Sequence, residues 1–237
     1  MMKIEVWSDY VCPFCYIGKR RLEAALEQFP HRDQVEVVFK SFELDPDCKT
    51  DYSVSIHEHL AEKYGISVEQ AKEMNENVIR QAKEAGLDYN FDTLSPENTF
   101  DAHRLAKFAE ARGKGHEMTE RLLKAYFIES KRIADHETLI RLAEEVGLSQ
   151  EQTEKMLAGD EYGDEVRADE KEAAQIGVRG VPFFVINRKY AISGAQPVEV
   201  FLNAFQKAWE EEDQPSFIEM SGNEDQGGNC GPDGCKI

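Results

Sequence analysis

The sequence predicts an α/β protein: one small layer of strands and helices, split by a long all-helical insertion. Three observations predict it. The chain opens as strand, helix, strand; residues from about 45 to 177 carry helical patterning with no strand signal of any weight; strand, strand, helix then follow to about residue 210. The two ends, 1–44 and 178–211, would form a single layer, 45–177 would be the insertion, and 212–237 an acidic tail.

Each element has a local reason. Lys3-Ile4-Glu5-Val6-Trp7-Ser8 alternates polar and apolar, as a strand does. Ile17, Leu22, Ala25, Leu26 and Phe29 recur at helical spacing, and Pro30 stops that helix. A second strand covers 35–42, and the helix between leaves room for a parallel crossover. In the insertion, Ser67-Val68-Glu69-Gln70 is a capping box that starts a helix to residue 85, closed by Gly86. Further helices are predicted over about 99–112, 116–130, 135–146 with Asp135 as cap, from a second box at Ser149–Gln152, and over 164–175. Residues 181–186 form a strand, Asn187-Arg188 a tight turn, and 190–193 the returning strand. Pro197 opens a last helix to 209, with Val200, Phe201, Ala204, Phe205 and Ala208 as its apolar stripe.

Composition narrows the function classes. Of 237 residues 41% are apolar, enough for a core, so global disorder is excluded. No apolar run approaches the ~20 residues a membrane helix needs. The N-terminus has no apolar segment of the kind a secretory signal carries. With 28 basic and 46 acidic residues the formal charge is −18, which disfavours nucleic acid and anionic membrane surfaces as partners. The expectation is a cytoplasmic protein in a reducing compartment. There, the close pairs Cys12/Cys15 and Cys230/Cys235 read as catalytic or metal-binding, and Cys48 as an incidental thiol.

Cys12-Pro13-Phe14-Cys15 falls where a strand gives way to a helix. The first turn of a helix presents unpaired N–H groups and partial positive charge, which stabilise a thiolate. Pro13 fits that turn, since its missing N–H costs nothing there. Cys12 would attack a disulfide and Cys15 would resolve the mixed disulfide. Half of a zinc site and a structural disulfide are the other readings. The first lacks a second compact Cys/His pair at finger spacing, and a reducing compartment disfavours the second.

At this point the chain resembles the DsbA-like thioredoxin-fold oxidoreductases, and within them the FrnE-type branch related to kappa glutathione transferases and 2-hydroxychromene-2-carboxylate isomerases. Three segments carry the resemblance: Ser8-Asp9-Tyr10-Val11-Cys12-Pro13-Phe14-Cys15-Tyr16-Ile17-Gly18, Asn98-Thr99-Phe100-Asp101-Ala102-His103-Arg104-Leu105, and Gly177-Val178-Arg179-Gly180-Val181-Pro182-Phe183-Phe184-Val185. It implies a thioredoxin-like fold over about residues 3–210 and a cis Val181–Pro182 bond beside the cysteines, where the residues alone leave a trans bond open. It also implies a substrate chain paired with the Val181 backbone, with Phe14, Pro182, Asn98 and His103 around it. His103 would assist proton transfer or would be a core or surface histidine with no role in the reaction. Asp9 would relay protons to Cys15 or would be an ordinary turn residue. One departure stands out: DsbA proteins proper carry His where this chain has Phe14, which cannot donate to a thiolate. The pair is therefore expected to be less oxidising than DsbA, whose potential is ~−120 mV.

Cys230-Gly231-Pro232-Asp233-Gly234-Cys235 bends enough to close a disulfide, and three roles stay open: a second redox pair that shuttles disulfides to Cys12/Cys15, a metal ligand pair, or none. The leading expectation is a thiol–disulfide oxidoreductase acting on protein or small-molecule disulfides with no bound cofactor and with glutathione as a candidate reductant. The rivals are a glutathione-dependent isomerase or transferase, whose members carry Ser where this chain has Cys12, and a metal-binding redox buffer.

Overall fold

The computed structural model describes residues 1–212; the expected tail, with Cys230 and Cys235, lies outside the described residues. β1 (Met2–Ser8), α1 (Pro13–Gln28) and β2 (Val35–Ser41) open the chain. Seven helices follow among the described residues: α2 (Ile56–Tyr64), α3 (Val68–Glu84), α4 (Phe100–Glu110), α5 (Gly115–Phe127), α6 (His136–Glu145), α7 (Gln150–Ala158) and α8 (Gly163–Gln175). β3 (Phe183–Ile186), β4 (Tyr190–Ser193) and α9 (Val198–Glu212) complete the layer. The strand order is β2-β1-β3-β4, with β1 parallel to β2 and antiparallel to β3, and β3–β4 a hairpin. This is the α/β arrangement with a helical insertion that the element order predicts.

The hairpin turns through residues 187–189, with Asn187 and Arg188 in the left-handed region (φ 49° and 56°) and Lys189 N donating to Ile186 O at 3.0 Å. α1 and α9 pack on one face of the sheet around Ile4, Val6, Leu22, Phe184, Phe201 and Phe205. α8 covers the other face beside Trp7, Val185 and Ala173. A larger core fills the insertion and reaches Tyr16 and Ile17 of α1.

Three local readings are corrected. The alternation of β1 implied one wet face, yet Glu5 is buried and ion-paired with Arg188. α1 and α9 cover one face of β1 and α8 the other, so both of its faces are covered. β3 starts at Phe183 rather than 181: Pro182 has no N–H to give a ladder, and its carbonyl accepts from Gly194 N at 2.8 Å. At α7 the Ser149 hydroxyl accepts from Gln152 N, but the reciprocal half of the box is missing because Gln152 Oε1 accepts from Arg112. Helix α2 has no counterpart in the predicted elements, although Ser55 and Glu58 form a full capping box at its start.

The topology places the site. Chain reversal at the C-terminal ends of β1 and β2 and at the N-terminal end of β3 brings the loops 9–12, 42–44 and 177–182 together. The insertion is seamed to the sheet nearby. Asp169 of α8 accepts from Ser41 N (2.9 Å) and pairs with Lys40 (3.0 Å) and Lys107 (2.6 Å), while its own carbonyl accepts from Trp7 Nε1 (3.0 Å).

Candidate active site

Cys12 is the N-cap of α1, with extended backbone, and Pro13 occupies the first helical position. Cys15 N donates to Cys12 O at 3.0 Å, so the two cysteines share one turn. Both are free thiols. The Cys12 Sγ–H donates to the Val181 carbonyl at 3.4 Å, and Cys15 Sγ accepts from Asp9 N at 3.4 Å. Burial, the hydrogen bond to Cys12 and the charge of Cys12 together push the Cys15 thiol well above its usual range, against a smaller opposing pull from the Ser8 hydroxyl. Burial contributes most of this upward push, so the inner thiol favours its protonated form.

Rigid neighbours hold this turn. The Tyr89 hydroxyl, from the insertion, donates to Pro13 O at 2.7 Å and pins the first turn of α1. On the opposite side the Val181–Pro182 bond is cis. Pro182 packs on Gly18, where a Cβ would meet Pro182 Cγ at 3.0 Å and Phe184 Cζ at 3.1 Å. Only a residue without a Cβ lets that loop approach α1 so closely.

Asp9 and His103 are both buried, at 1% and 2% exposure, with Asp9 Oδ1 and His103 Nε2 3.2 Å apart. Asp9 Oδ1 also accepts from Tyr10 N (2.7 Å) and Oδ2 from Leu44 N (2.8 Å). The carboxylate thus ties the 9–12 loop to the 42–44 loop and to α4, and what touches Cys15 is the Asp9 backbone. His103 orients Asp9 and packs its ring, tilted by 44°, against Tyr10 with centroids 4.7 Å apart. Among the described residues no group of three or more His, Cys, Asp or Glu is placed to hold a metal.

A cavity of about 510 Å³ opens beside the pair. Cys12, Phe14 and Val181 line one wall; α2, α3 and the 91–99 segment supply the others through Leu60, Tyr64, Met74 and Val78. Cys12 is only 3% exposed, and it reaches solvent through this groove, while Cys15 sits behind it and off the wall.

Of the residues the sequence pointed to, Cys12, Phe14 and Val181 converge on the groove. Pro182 supports the site from the Gly18 side without lining the groove. His103 lies behind Asp9, away from the groove wall. Asn98 does not reach it either: its amide donates to the Pro46 carbonyl (3.2 Å) and accepts from Phe100 N (3.0 Å), a loop-bracing role before α4. Cys48, read as incidental, lines the same groove as Cys12 and is half-buried. Tyr89, Ser8 and Gly18 went unassigned as site residues. Tyr89 and Ser8 have no local signature, since their partners lie in other elements. Gly18, a lone glycine within a helical pattern, was the available cue.

The comparisons agree with this geometry. A family model described as a DSBA-like thioredoxin domain matches residues 3–206. The uncharacterized protein YwbO of Bacillus subtilis (strain 168) is 32% identical over 203 residues, 85% of this chain and 94% of that protein. The crystal structure of a probable DsbA oxidoreductase from Streptomyces coelicolor superposes with a TM-score of 0.86 at 43% identity, covering 100% of this chain and 99% of that one. A cytosolic disulfide reductase, DsbM, from Pseudomonas aeruginosa shares the fold at 18% identity, with a TM-score of 0.62 over 88% of this chain and 99% of that one. By its sequence match and its fold, the chain belongs to the family of DsbA-like thioredoxin-domain oxidoreductases.

Proposed function

We propose that the protein is a thiol–disulfide oxidoreductase in which Cys12 is the attacking sulfur and Cys15 the resolving one. The observation that carries this reading is the pair itself: two free sulfurs on the first turn of one helix, the outer on a groove wall and the inner buried and hydrogen-bonded to it. The Cys12 thiolate attacks a substrate disulfide, forms Cys12–S–S–R and releases the other half as thiolate. Cys12 then no longer carries charge and no longer accepts from Cys15, so two of the influences that hold the Cys15 proton vanish. Cys15 gives up that proton and attacks Cys12 sulfur, releasing R–S⁻ and leaving a Cys12–Cys15 disulfide. The substrate gains two electrons; run in reverse, the same steps oxidise a dithiol.

No bound cofactor enters these steps. The reading places the protein in the cytoplasm, where thiols regenerate the pair, and assigns Cys230/Cys235 to passing disulfides to or from it. A buried second thiol at Cys15 favours this chemistry over a transferase or isomerase, for which one nucleophile suffices. Insulin-disulfide reduction tests it. Cys12→Ser should abolish turnover, and Cys15→Ser should accumulate mixed disulfides visible by mass spectrometry. Truncation after residue 225 should slow turnover of a protein disulfide. Full activity in Cys12→Ser would end the reading, and unchanged rates in the truncation would end the shuttle role alone.

A further inference from the structure

Two openings flank Val181. The groove beside Cys12 lies on one side; on the other a second cavity, of about 500 Å³, is lined by Arg179, Val181, Ser193, Gly177, Gly180 and Gly194 among others. Its charge is unlike that of the rest of the surface. The chain has 46 acidic residues and a formal charge of −18, and four other cavities among the described residues each carry Asp or Glu on their walls. This one carries none, and Arg179 is its single Lys or Arg. Arg179 is also uncommitted. Each of the eleven other arginines has a carboxylate, a carbonyl, an amide oxygen or an aromatic ring as partner. Arg179 is exposed and has no hydrogen bond, ion pair or ring contact among the described residues. The Ser193 hydroxyl on the same wall has no partner among them either. Gly177 and Gly180 leave open space where a Cβ would stand, so nothing crowds the guanidinium from the loop itself. Position ties it to the reaction: the Val181 carbonyl receives the Cys12 thiol at 3.4 Å. Arg179 lies two residues before it, a span of at most about 7 Å.

We propose that Arg179 is a specificity residue that binds a carboxylate on the substrate arm, so that the reduced pair prefers disulfides with an acidic group a residue or two from the reacting sulfur. The proposal rests on the thiol–disulfide reading and narrows its substrate class. The chemistry is the same: Cys12 and Cys15 give two electrons and two protons to R–S–S–R, which leaves the Cys12–Cys15 disulfide and two thiols. Arg179 adds a planar fork of donors that matches a carboxylate and holds the arm beside Val181 while Cys12 attacks. The net charge of the chain repels an acidic substrate at long range. At ~0.15 M salt a Debye length of about 8 Å screens that field and leaves the guanidinium next to the site. An acidic residue of a polypeptide and a carboxylate of glutathione present the same chemistry to it.

The test uses the reduced full-length chain at ~0.15 M salt and four symmetrical disulfides: those of N-acetylated Cys-Ala-Glu amide and Cys-Ala-Gln amide, glutathione disulfide, and hydroxyethyl disulfide. Rates of Cys12–Cys15 oxidation are followed by rapid acid quench and mass spectrometry, and each is divided by the rate of dithiothreitol with the same disulfide. The Glu peptide should react roughly three- to fivefold faster than the Gln peptide, as fits an exposed ion pair. Arg179→Gln should bring that ratio to about one, Arg179→Glu should invert it, and Arg179→Lys should keep part of it. A variant that had merely lost structure would slow both peptides and leave the ratio in place. Glutathione disulfide, measured against hydroxyethyl disulfide, should fall in parallel where its carboxylates use the same site. A fall for the peptide alone assigns the site to acidic polypeptide, and a fall for glutathione alone assigns it to the small thiol. Ratios for both sources that none of the three substitutions moves overturn the proposal. A pair that reacts with none of the four disulfides, hydroxyethyl disulfide included, overturns instead the reading on which it rests.

Discussion

Phe14 is the residue between the two cysteines that shapes the pair's chemistry. It is 37% exposed on the groove wall and has no polar atom to give a thiolate. Equilibration with defined redox buffers should place Cys12/Cys15 below the ~−120 mV of DsbA, and Phe14→His should raise the potential. A wild-type value at or above that figure refutes the argument. Glu97, on the same groove, makes a different residue-scale prediction. Burial pushes its carboxyl up to about 7 from an ordinary 4.5, although Ala134 N donates to it at 2.6 Å. The folded state then holds this proton more tightly than the unfolded chain does. The stability so contributed is complete below about pH 4.5 and is lost as pH rises through about 7, on the order of 3 kcal/mol. Urea midpoints at pH 5 and pH 8 should differ less in Glu97→Gln than in wild type; equal differences would show that Glu97 does not titrate there.

At the scale of elements, α1 is the working part, and its fit to the loop before β3 depends on Gly18. Gly18→Ala forces Pro182 or Phe184 to move by a few tenths of an ångström. Overpacking of this kind costs roughly 1–3 kcal/mol, and it shifts Val181 against Cys12. The variant should melt lower and reduce insulin more slowly while retaining both thiols. Wild-type melting and rates would mean that the contact relaxes freely. The elements also show how far local patterning reaches. The Ser67 box, the Asp135 cap and the Asn187-Arg188 turn were legible because each is a contact within four residues. Helix α2 offered the same signal at Ser55 and Glu58, followed by Ile56, Leu60, Ala61 and Tyr64 at helical spacing, so it too was legible from local pattern. In β1 the alternation was legible and its meaning was not, because the partner that neutralises Glu5 is Arg188, far along the chain.

Across the whole molecule, the seam between sheet and insertion decides whether the groove exists. Its polar centre is Asp169, 8% exposed, with Lys40, Lys107 and Ser41 N around it. Asp169→Ala leaves two lysines and a backbone donor without this acceptor and should cost about 3–5 kcal/mol in urea unfolding. Asp169→Asn, which keeps an acceptor for Ser41, should cost less; equal stability of all three proteins would remove the seam from the account. The same seam shields the edge of the sheet: the carbonyls of Val37 and Phe39 on β2 face His116 Nε2 (2.9 Å) and Lys107 Nζ (3.3 Å).

The sequence by itself determined the α/β class, the helical insertion and the cysteine pair at a helix start, because each depends on neighbours within a turn or on a periodicity that repeats along an element. Only the tertiary structure decided that Cys12 opens onto a groove, that Cys15 stands behind it, that Asn98 braces a loop and that His103 serves Asp9. Those contacts join residues from 52 to 169 positions apart, and no local pattern records which distant side chains the packing of a core brings together.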